Sequence, residues 1–244
     1  MLSQEQVKAC YRRKAWPLLS APLNVRVKFQ KTGDLQYISH LDLQRTLHRI
    51  LVRAGIPMWY TKGFNPHAKI VFSTPLSVGA QSVCEMVDIR IDRDMPCDVI
   101  KELLNREVTE ELRILDVYVP TAKFSDIAWA TYEIELHEAG IATKGEKILA
   151  LLKEKELLTT KKTKSGEKEI NIRPLIRSVS VDGDTTEERL LLTVMLSIGA
   201  DNYLNPELLL TVLKRRLNIL SAPGGWYSIM RTASYHEDGV TEFR

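Results

Sequence analysis

The stretch Val25-Arg26-Val27-Lys28-Phe29 alternates apolar and basic residues. It is the first element of the predicted fold, and the other predicted elements follow it along the chain. This period of two is typical of a half-buried strand, and it predicts an outward face that is basic. A helical pattern follows over residues 39–54, where Ser39 is a good N-cap and Gly55 fits the end of the helix. The predicted buried stripe of this helix contains Leu43, Leu47, Ile50, Leu51 and Ala54.

Beyond this helix, apolar alternation predicts further strands and one more helix before Pro120. The strands are predicted at 58–61, 69–73, 85–91 and 112–119. The helix is predicted over residues 95–107, with Asp94 as its cap. The first half therefore follows the order strand, helix, strand, strand, helix, strand.

The second half repeats that order. A strand at 131–136 precedes a helix that Thr143 and Glu146 would begin as a capping box. Further strands are predicted around 157–163, 168–174, 175–181, 189–198 and 226–235. Asn205 and Pro206 predict the start of a helix before the last strand.

Both halves fit the split β-α-β arrangement of the ferredoxin-like fold. The predicted class is α+β, with tandem ferredoxin-like (βαββαβ) units whose antiparallel sheets carry helices on one face. The predicted divisions are an N-terminal extension (1–23), a first domain (24–122) and a second domain (123–244).

Composition sets limits on the function. The chain has 244 residues, of which 34 are basic and 31 acidic, and this net charge of +3 does not by itself indicate nucleic-acid binding. No apolar run approaches the ~18 residues of a membrane span, and the N-terminal residues do not resemble a secretory signal. Cys10, Cys84 and Cys97 are too far apart for a metal knuckle. We expect a cytoplasmic protein without membrane association.

Polar residues concentrate between residues 33 and 79. His40 is predicted at the start of a helix, where a general acid or base could act with Tyr37 and a lysine such as Lys62 or Lys69. Metal-independent RNA cleavage requires such a group together with cations near the phosphate. The alternatives for His40 are capping or packing against the strand end, and ligand binding.

The loop Gly63-Phe64-Asn65-Pro66-His67 is the second candidate. Gly63 and Pro66 make it tight, which suits a recognition loop but equally a structural connection in which Asn65 and His67 satisfy local backbone groups. His40 and His67 lack a third metal ligand, so no metal site is predicted.

A basic ridge is predicted on the first helix. Arg45, Arg49 and Arg53 recur every four residues and, with Arg26 and Lys28, could follow a phosphate backbone. The alternative is a solvated helix face. The aromatic residues Trp59, Tyr60 and Phe64 could stack on bases, or could belong to the core.

Three motifs carry a resemblance to a known family. They are Gly33-Asp34-Leu35-Gln36-Tyr37-Ile38-Ser39-His40-Leu41-Asp42-Leu43, Lys62-Gly63-Phe64-Asn65-Pro66-His67 and Leu76-Ser77-Val78-Gly79. The chain resembles the uncharacterised bacterial radical-SAM-linked proteins, which occur alone or fused to a radical S-adenosylmethionine protein. The resemblance implies a partner of that kind, and it implies no settled activity.

The chain lacks the Cys-x-x-x-Cys-x-x-Cys motif that would hold an iron–sulfur cluster for S-adenosylmethionine. We therefore expect this chain to bind no cofactor, and the cluster and S-adenosylmethionine to lie on a partner. The favoured function is an RNA- or substrate-binding accessory module in RNA- or ribosome-related modification, without independent activity. The alternatives are a metal-independent endoribonuclease that uses His40, and a structural partner-docking protein.

Overall fold

The structure, a computed structural model, describes residues 16–163, 166–181, 186–221 and 223–244. It divides into two compact units: the first ends at Phe124 and also includes Arg244, and the second runs from Ser125 to Phe243. Most of the predicted N-terminal extension, with Cys10, lies outside the described residues. So does the turn predicted at 182–184.

The first unit contains an antiparallel sheet and two α-helices within its described residues. Its elements are β1 (Leu18–Lys31), α1 (His40–Arg53), β2 (Ile70–Phe72), β3 (Ala80–Arg93), α2 (Cys97–Asn105) and β4 (Ile114–Tyr118). The strand order is β4-β1-β3-β2, and each of these pairs is antiparallel. The short 3-10 helix Gly33–Tyr37 connects β1 to α1.

The second unit contains a four-stranded antiparallel sheet and a separate hairpin. Its elements are β5 (Trp129–His137), α3 (Gly145–Leu152), β6 (Leu158–Thr163), β7 (Gly166–Asn171), β8 (Ile176–Val181), β9 (Arg189–Ser197), α4 (Pro206–Leu217) and β10 (Trp226–Tyr235). Its strand order is β10-β5-β9-β8, while β6 and β7 form a two-stranded sheet within the described residues. The α+β class with antiparallel sheets is confirmed, and the tandem ferredoxin-like assignment stays a prediction.

One face of the first unit's sheet packs against the two helices. Val25 and Val27 from β1 and Ile89 from β3 lie in one buried cluster with Leu47 of α1 and Leu103 of α2. At about 25 cal/mol per Å² of apolar surface, this burial is the main force that holds the helices on the sheet. The predicted apolar stripe of α1 is confirmed, since all five of its residues are buried.

The prediction for Arg26, which lies on the opposite face of the same sheet, was wrong. Arg26 is fully buried, where an outward basic side chain was predicted. Its Nε and Nη2 donate to the Asp88 carboxylate at 2.7 and 3.0 Å, and Nη2 also donates to the Ala122 carbonyl at 3.0 Å. The Phe124 ring lies 4.1 Å from the guanidinium carbon. A segment that follows β4 covers this face. The Arg26 guanidinium therefore forms its ion pair inside the first unit.

Two helix starts are confirmed. The Ser39 hydroxyl accepts from the Asp42 N–H at 3.1 Å and donates to the Asp42 carboxylate at 2.7 Å, which satisfies an N–H that the first turn leaves free. Asn205 accepts from the Glu207 N–H at 3.0 Å, and Pro206 is the first residue of α4. Both caps are local patterns, which a sequence can reveal.

Two other helix starts were wrong. The Asp94 N–H donates to the Pro17 carbonyl at 2.9 Å, and α2 begins only at Cys97, after Pro96, without a side-chain cap. The Thr143 hydroxyl donates to the Gly140 carbonyl at 2.8 Å because Thr143 lies in a 3-10 helix that precedes α3.

The strand predicted at 58–61 was also wrong. Among the described residues, the β-pairing of this stretch consists of the isolated bridges Met58–Ile91 and Tyr60–Ala68, and it forms no continuous strand. It therefore acts as a connection between α1 and β2.

Candidate functional site

A cleft of about 440 Å³ lies in the first unit, between the exposed side of α1 and strand β2. The residues that line it are Leu41, Gln44, Arg45, His48, Arg49, Ala68, Ile70 and Phe72. Its size is in the range of small-ligand sites. Its position follows from the sequence pattern, because the apolar stripe of α1 turns toward the sheet and leaves the polar side of the helix at the cleft.

The electrostatic character of the cleft is positive. Of the described residues that line it, none is acidic, whereas Arg45, His48 and Arg49 all carry nitrogen donors. Arg45 makes an ion pair with Asp42 at 3.3 Å, but both side chains are more than half exposed, so the pair is weak. The cleft can therefore hold an anionic group through planar guanidinium donors.

The predicted ridge of three arginines separates in the structure. Arg45 and Arg49 line the cleft, whereas Arg53 does not. The Arg53 Nε lies 3.1 Å from the Glu107 carboxylate, and its Nη2 donates to the Glu107 carbonyl at 2.9 Å. Each four-residue step advances about 40° around a helix, so the first and third arginines diverge by about 80°. Arg53 therefore belongs to the contact between α1 and the end of α2.

His40 lies at the border of the cleft. It is the exposed first residue of α1, and its Nε2 lies 2.9 Å from the Gln44 amide nitrogen. Its ring meets the Phe72 ring edge-on, with 5.1 Å between the ring centres. Both contacts are with residues that line the cleft.

The predicted catalytic group of His40, Tyr37 and Lys62 is not joined by contacts. Tyr37 and Lys62 are both exposed, and Tyr37 lies in the 3-10 helix before α1. Within the described residues, no hydrogen bond or ion pair links any two of the three side chains. The endoribonuclease hypothesis stays a prediction, with only His40 beside the cleft.

The Gly63–His67 loop is held by the side chain of its own histidine. The His67 Nδ1 lies 3.1 Å from the Thr61 hydroxyl and 3.3 Å from the Asn65 carbonyl, and the Thr61 N–H donates to the His67 carbonyl at 3.0 Å. Gly63 has a φ of 141°, which favours glycine. His67 serves its own loop, and no described contact joins it to His40.

Exposure separates the aromatic residues. Phe64, at the tip of the loop with Pro66, is fully exposed, while Trp59 is half-buried beneath Arg90, whose guanidinium carbon lies 5.7 Å from the ring centre. Phe64 is therefore available for contact with a partner, whereas Trp59 packs within the fold. Lys69 precedes β2 and lies away from the cleft, beside a different cavity.

His48 was missed by the sequence analysis. It lines the cleft between Arg45 and Arg49, one turn beyond Gln44. Gln44 and His48 are one four-residue step apart, so they lie about 40° apart on α1 and both line the cleft, and this spacing is present in the sequence. Among the described residues, no group of three or more His, Cys, Asp or Glu side chains is arranged to hold a metal.

Comparison with known proteins identifies the family of this α+β protein. The chain belongs to the family described as an uncharacterized protein conserved in bacteria (DUF2344), whose model matches residues 24–206. All three motifs of the 33–79 region lie in the matched range. The match does not include evidence of a link to radical S-adenosylmethionine proteins. Among curated proteins, none matches the chain.

Solved structures give only distant likenesses. A chain in the crystal structure of a Cbf5-Nop10-Gar1 complex is 13% identical, with a TM-score of 0.47 over 88% of this chain and 50% of that one. The present chain thus spans about half the length of that match. The crystal structure of an unknown protein from Galdieria sulphuraria is 9% identical, with a TM-score of 0.26 over 86% of this chain and 99% of that one. These values support no functional assignment.

None of the described helices has both the length and the apolar character that crossing a membrane requires.

Proposed function

We propose that this protein is an RNA- or substrate-binding accessory module, and that the cleft beside α1 is its binding site. The observation that carries the proposal is that Arg45 and Arg49 both line a cleft in which none of the described lining residues is acidic. Arginine presents a planar fork of donors that matches phosphate oxygens, which favours an anionic ligand over a neutral one.

Two further features support RNA among anionic ligands. Phe64 and Tyr37 are strongly exposed on the same unit, and exposed rings provide stacking surfaces for unpaired bases. The proposal also takes both units to be ferredoxin-like, and sheets of related modules are common platforms for RNA.

The proposal includes a partner. The motifs at 33–43 and 62–67 resemble those of radical-SAM-linked proteins, so the module would work in the cytoplasm beside a radical S-adenosylmethionine enzyme. That enzyme would supply the iron–sulfur cluster and S-adenosylmethionine. RNA- or ribosome-related modification is the process in which a binding module and such an enzyme would act together.

Filter binding to tRNA and rRNA fragments tests the RNA role. The double variant Arg45→Gln/Arg49→Gln should bind about a hundredfold more weakly than the wild type, because two charge-assisted hydrogen bonds to phosphate are lost. The matched control is Arg113→Gln, which removes one exposed arginine of the same unit that pairs with Glu110 outside the cleft. Equal affinities for the double variant and the control would contradict the proposal.

A further inference from the structure

A second cavity lies in the first unit, on the sheet face opposite the helices. It has a volume of about 450 Å³ and lies between the start of β2 and the segment that follows β4. The described residues that line it are Asn24, Lys69, Val71, Asp88, Arg90 and residues 120–124. Because side chains alternate along a strand, Ile70 and Phe72 line the first cleft while Lys69 and Val71 line this one.

Among the described residues that line this cavity, Asp88 is the one carboxylate, and it is already neutralised. Both oxygens of Asp88 accept hydrogen bonds: two come from the buried guanidinium of Arg26, at 2.7 and 3.0 Å, and one from the Asn24 amide at 3.1 Å. The Asp88 side chain is only 13% exposed. Its charge is therefore matched from within the protein, and it does not balance the cations at the cavity.

Two of the cations at the cavity, Lys69 and Arg90, remain available to a ligand. Among the described residues, no ion pair within 4 Å is found for Lys69 or Arg90. The Arg90 guanidinium lies over the Trp59 ring, and the backbone N–H of Trp59 donates to the Arg90 backbone carbonyl at 2.8 Å. A ring face positions a guanidinium without occupying its donors, so Arg90 can make a paired contact to an anion.

Part of the remaining lining is apolar. Val71, Pro120 and Phe124 contribute hydrophobic surface, and Phe124 is fixed by its contact with the Arg26 guanidinium. A lone inorganic ion would leave this surface uncovered. The cavity has the size of a site for one small molecule.

We propose that this cavity binds a nucleoside monophosphate, with the phosphate held by Arg90 and Lys69 and the flat base against Val71, Pro120 and Phe124. The site is separate from the cleft beside α1 and does not depend on the function proposed for that cleft.

Isothermal titration calorimetry with AMP tests the proposal on the full chain. AMP should bind saturably, and inorganic phosphate and adenosine should each bind more weakly, because each fills only one part of the site. Arg90→Gln and Lys69→Gln should each weaken AMP binding by about tenfold, the expected loss of a charge-assisted hydrogen bond. The control Arg45→Gln/Arg49→Gln should bind AMP like the wild type.

Amide NMR shifts provide a second readout that does not need a variant. AMP should shift the amide resonances of residues 69–71 and 121–123 and leave those of residues 44–49 unchanged. The proposal is overturned if AMP does not bind at millimolar concentration, if the Lys69 and Arg90 variants bind it as the wild type does, or if the shifts map to α1. A failure of RNA binding in the other experiment would leave these results unaffected.

Discussion

The two sides of the first unit use the same residue type for opposite purposes. On the sheet face away from the helices, Arg26 is fully buried and its donors go to Asp88 and Ala122. On the exposed side of α1, Arg45 and Arg49 open toward the cleft. A buried arginine with its partners holds the fold together, whereas an arginine at an open cleft contributes little to stability and is available to a ligand.

The largest expected effect is on the buried side. Arg26→Met leaves the Asp88 carboxylate buried without its cation, and this should lower the free energy of unfolding by about 3–5 kcal/mol. Urea unfolding followed by circular dichroism measures it. The double change Arg26→Met/Asp88→Leu should be less destabilising than Arg26→Met alone, because it removes the stranded charge. A single variant as stable as the wild type would contradict this role of Arg26.

The next effect concerns the start of α1, which positions the cleft residues. Ser39→Ala removes the hydroxyl that accepts from the Asp42 N–H, and it should lower the free energy of unfolding by about 1 kcal/mol. Ser39→Asn is the matched control, since asparagine is an equally good cap and should retain most of the stability. An alanine variant as stable as the asparagine variant would show that the cap is not used.

The smallest effect is expected for the arginine that the ridge prediction placed with the other two. Arg53→Gln breaks an ion pair with Glu107 in which the arginine side chain is mostly exposed, and it should change the free energy of unfolding by no more than about 1 kcal/mol. Because Arg53 does not line the cleft, RNA affinity should fall far less than in the Arg45/Arg49 double variant. Equal losses of affinity for the Arg53 variant and the Arg45/Arg49 double variant would indicate that all three arginines form the binding surface.

The parts of the fold that were predictable are those that local chemistry decides. The Ser39 cap, the apolar stripe of α1 and the Asn205-Pro206 helix start each depend on residues within one or two turns. Arg26 was placed wrongly because a period of two identifies two faces of a strand without showing which one is covered later. The cover is the segment around Ala122, which lies 96 residues further along the chain.

The candidate site was predictable only as a region. Arg45 and Arg49 reach the cleft and His40 borders it, but Lys69 lies at the opposite cavity because strand alternation separates it from Ile70. Tyr37 and Lys62 were grouped with His40 by closeness in sequence, and folding does not join them by contacts. The side on which a loop or strand residue finally lies depends on tertiary packing, which no short motif encodes.

The most direct test of the account is the salt dependence of RNA binding by the wild type, the Arg45→Gln/Arg49→Gln variant and the Arg113→Gln control. For single-stranded RNA, each phosphate contact contributes about 0.7 to the slope of log K against log salt, so the double variant should lose about 1.4 from that slope. The control should retain the slope of the wild type. Equal slopes for all three proteins would contradict the claim that the cleft beside α1 binds the RNA backbone.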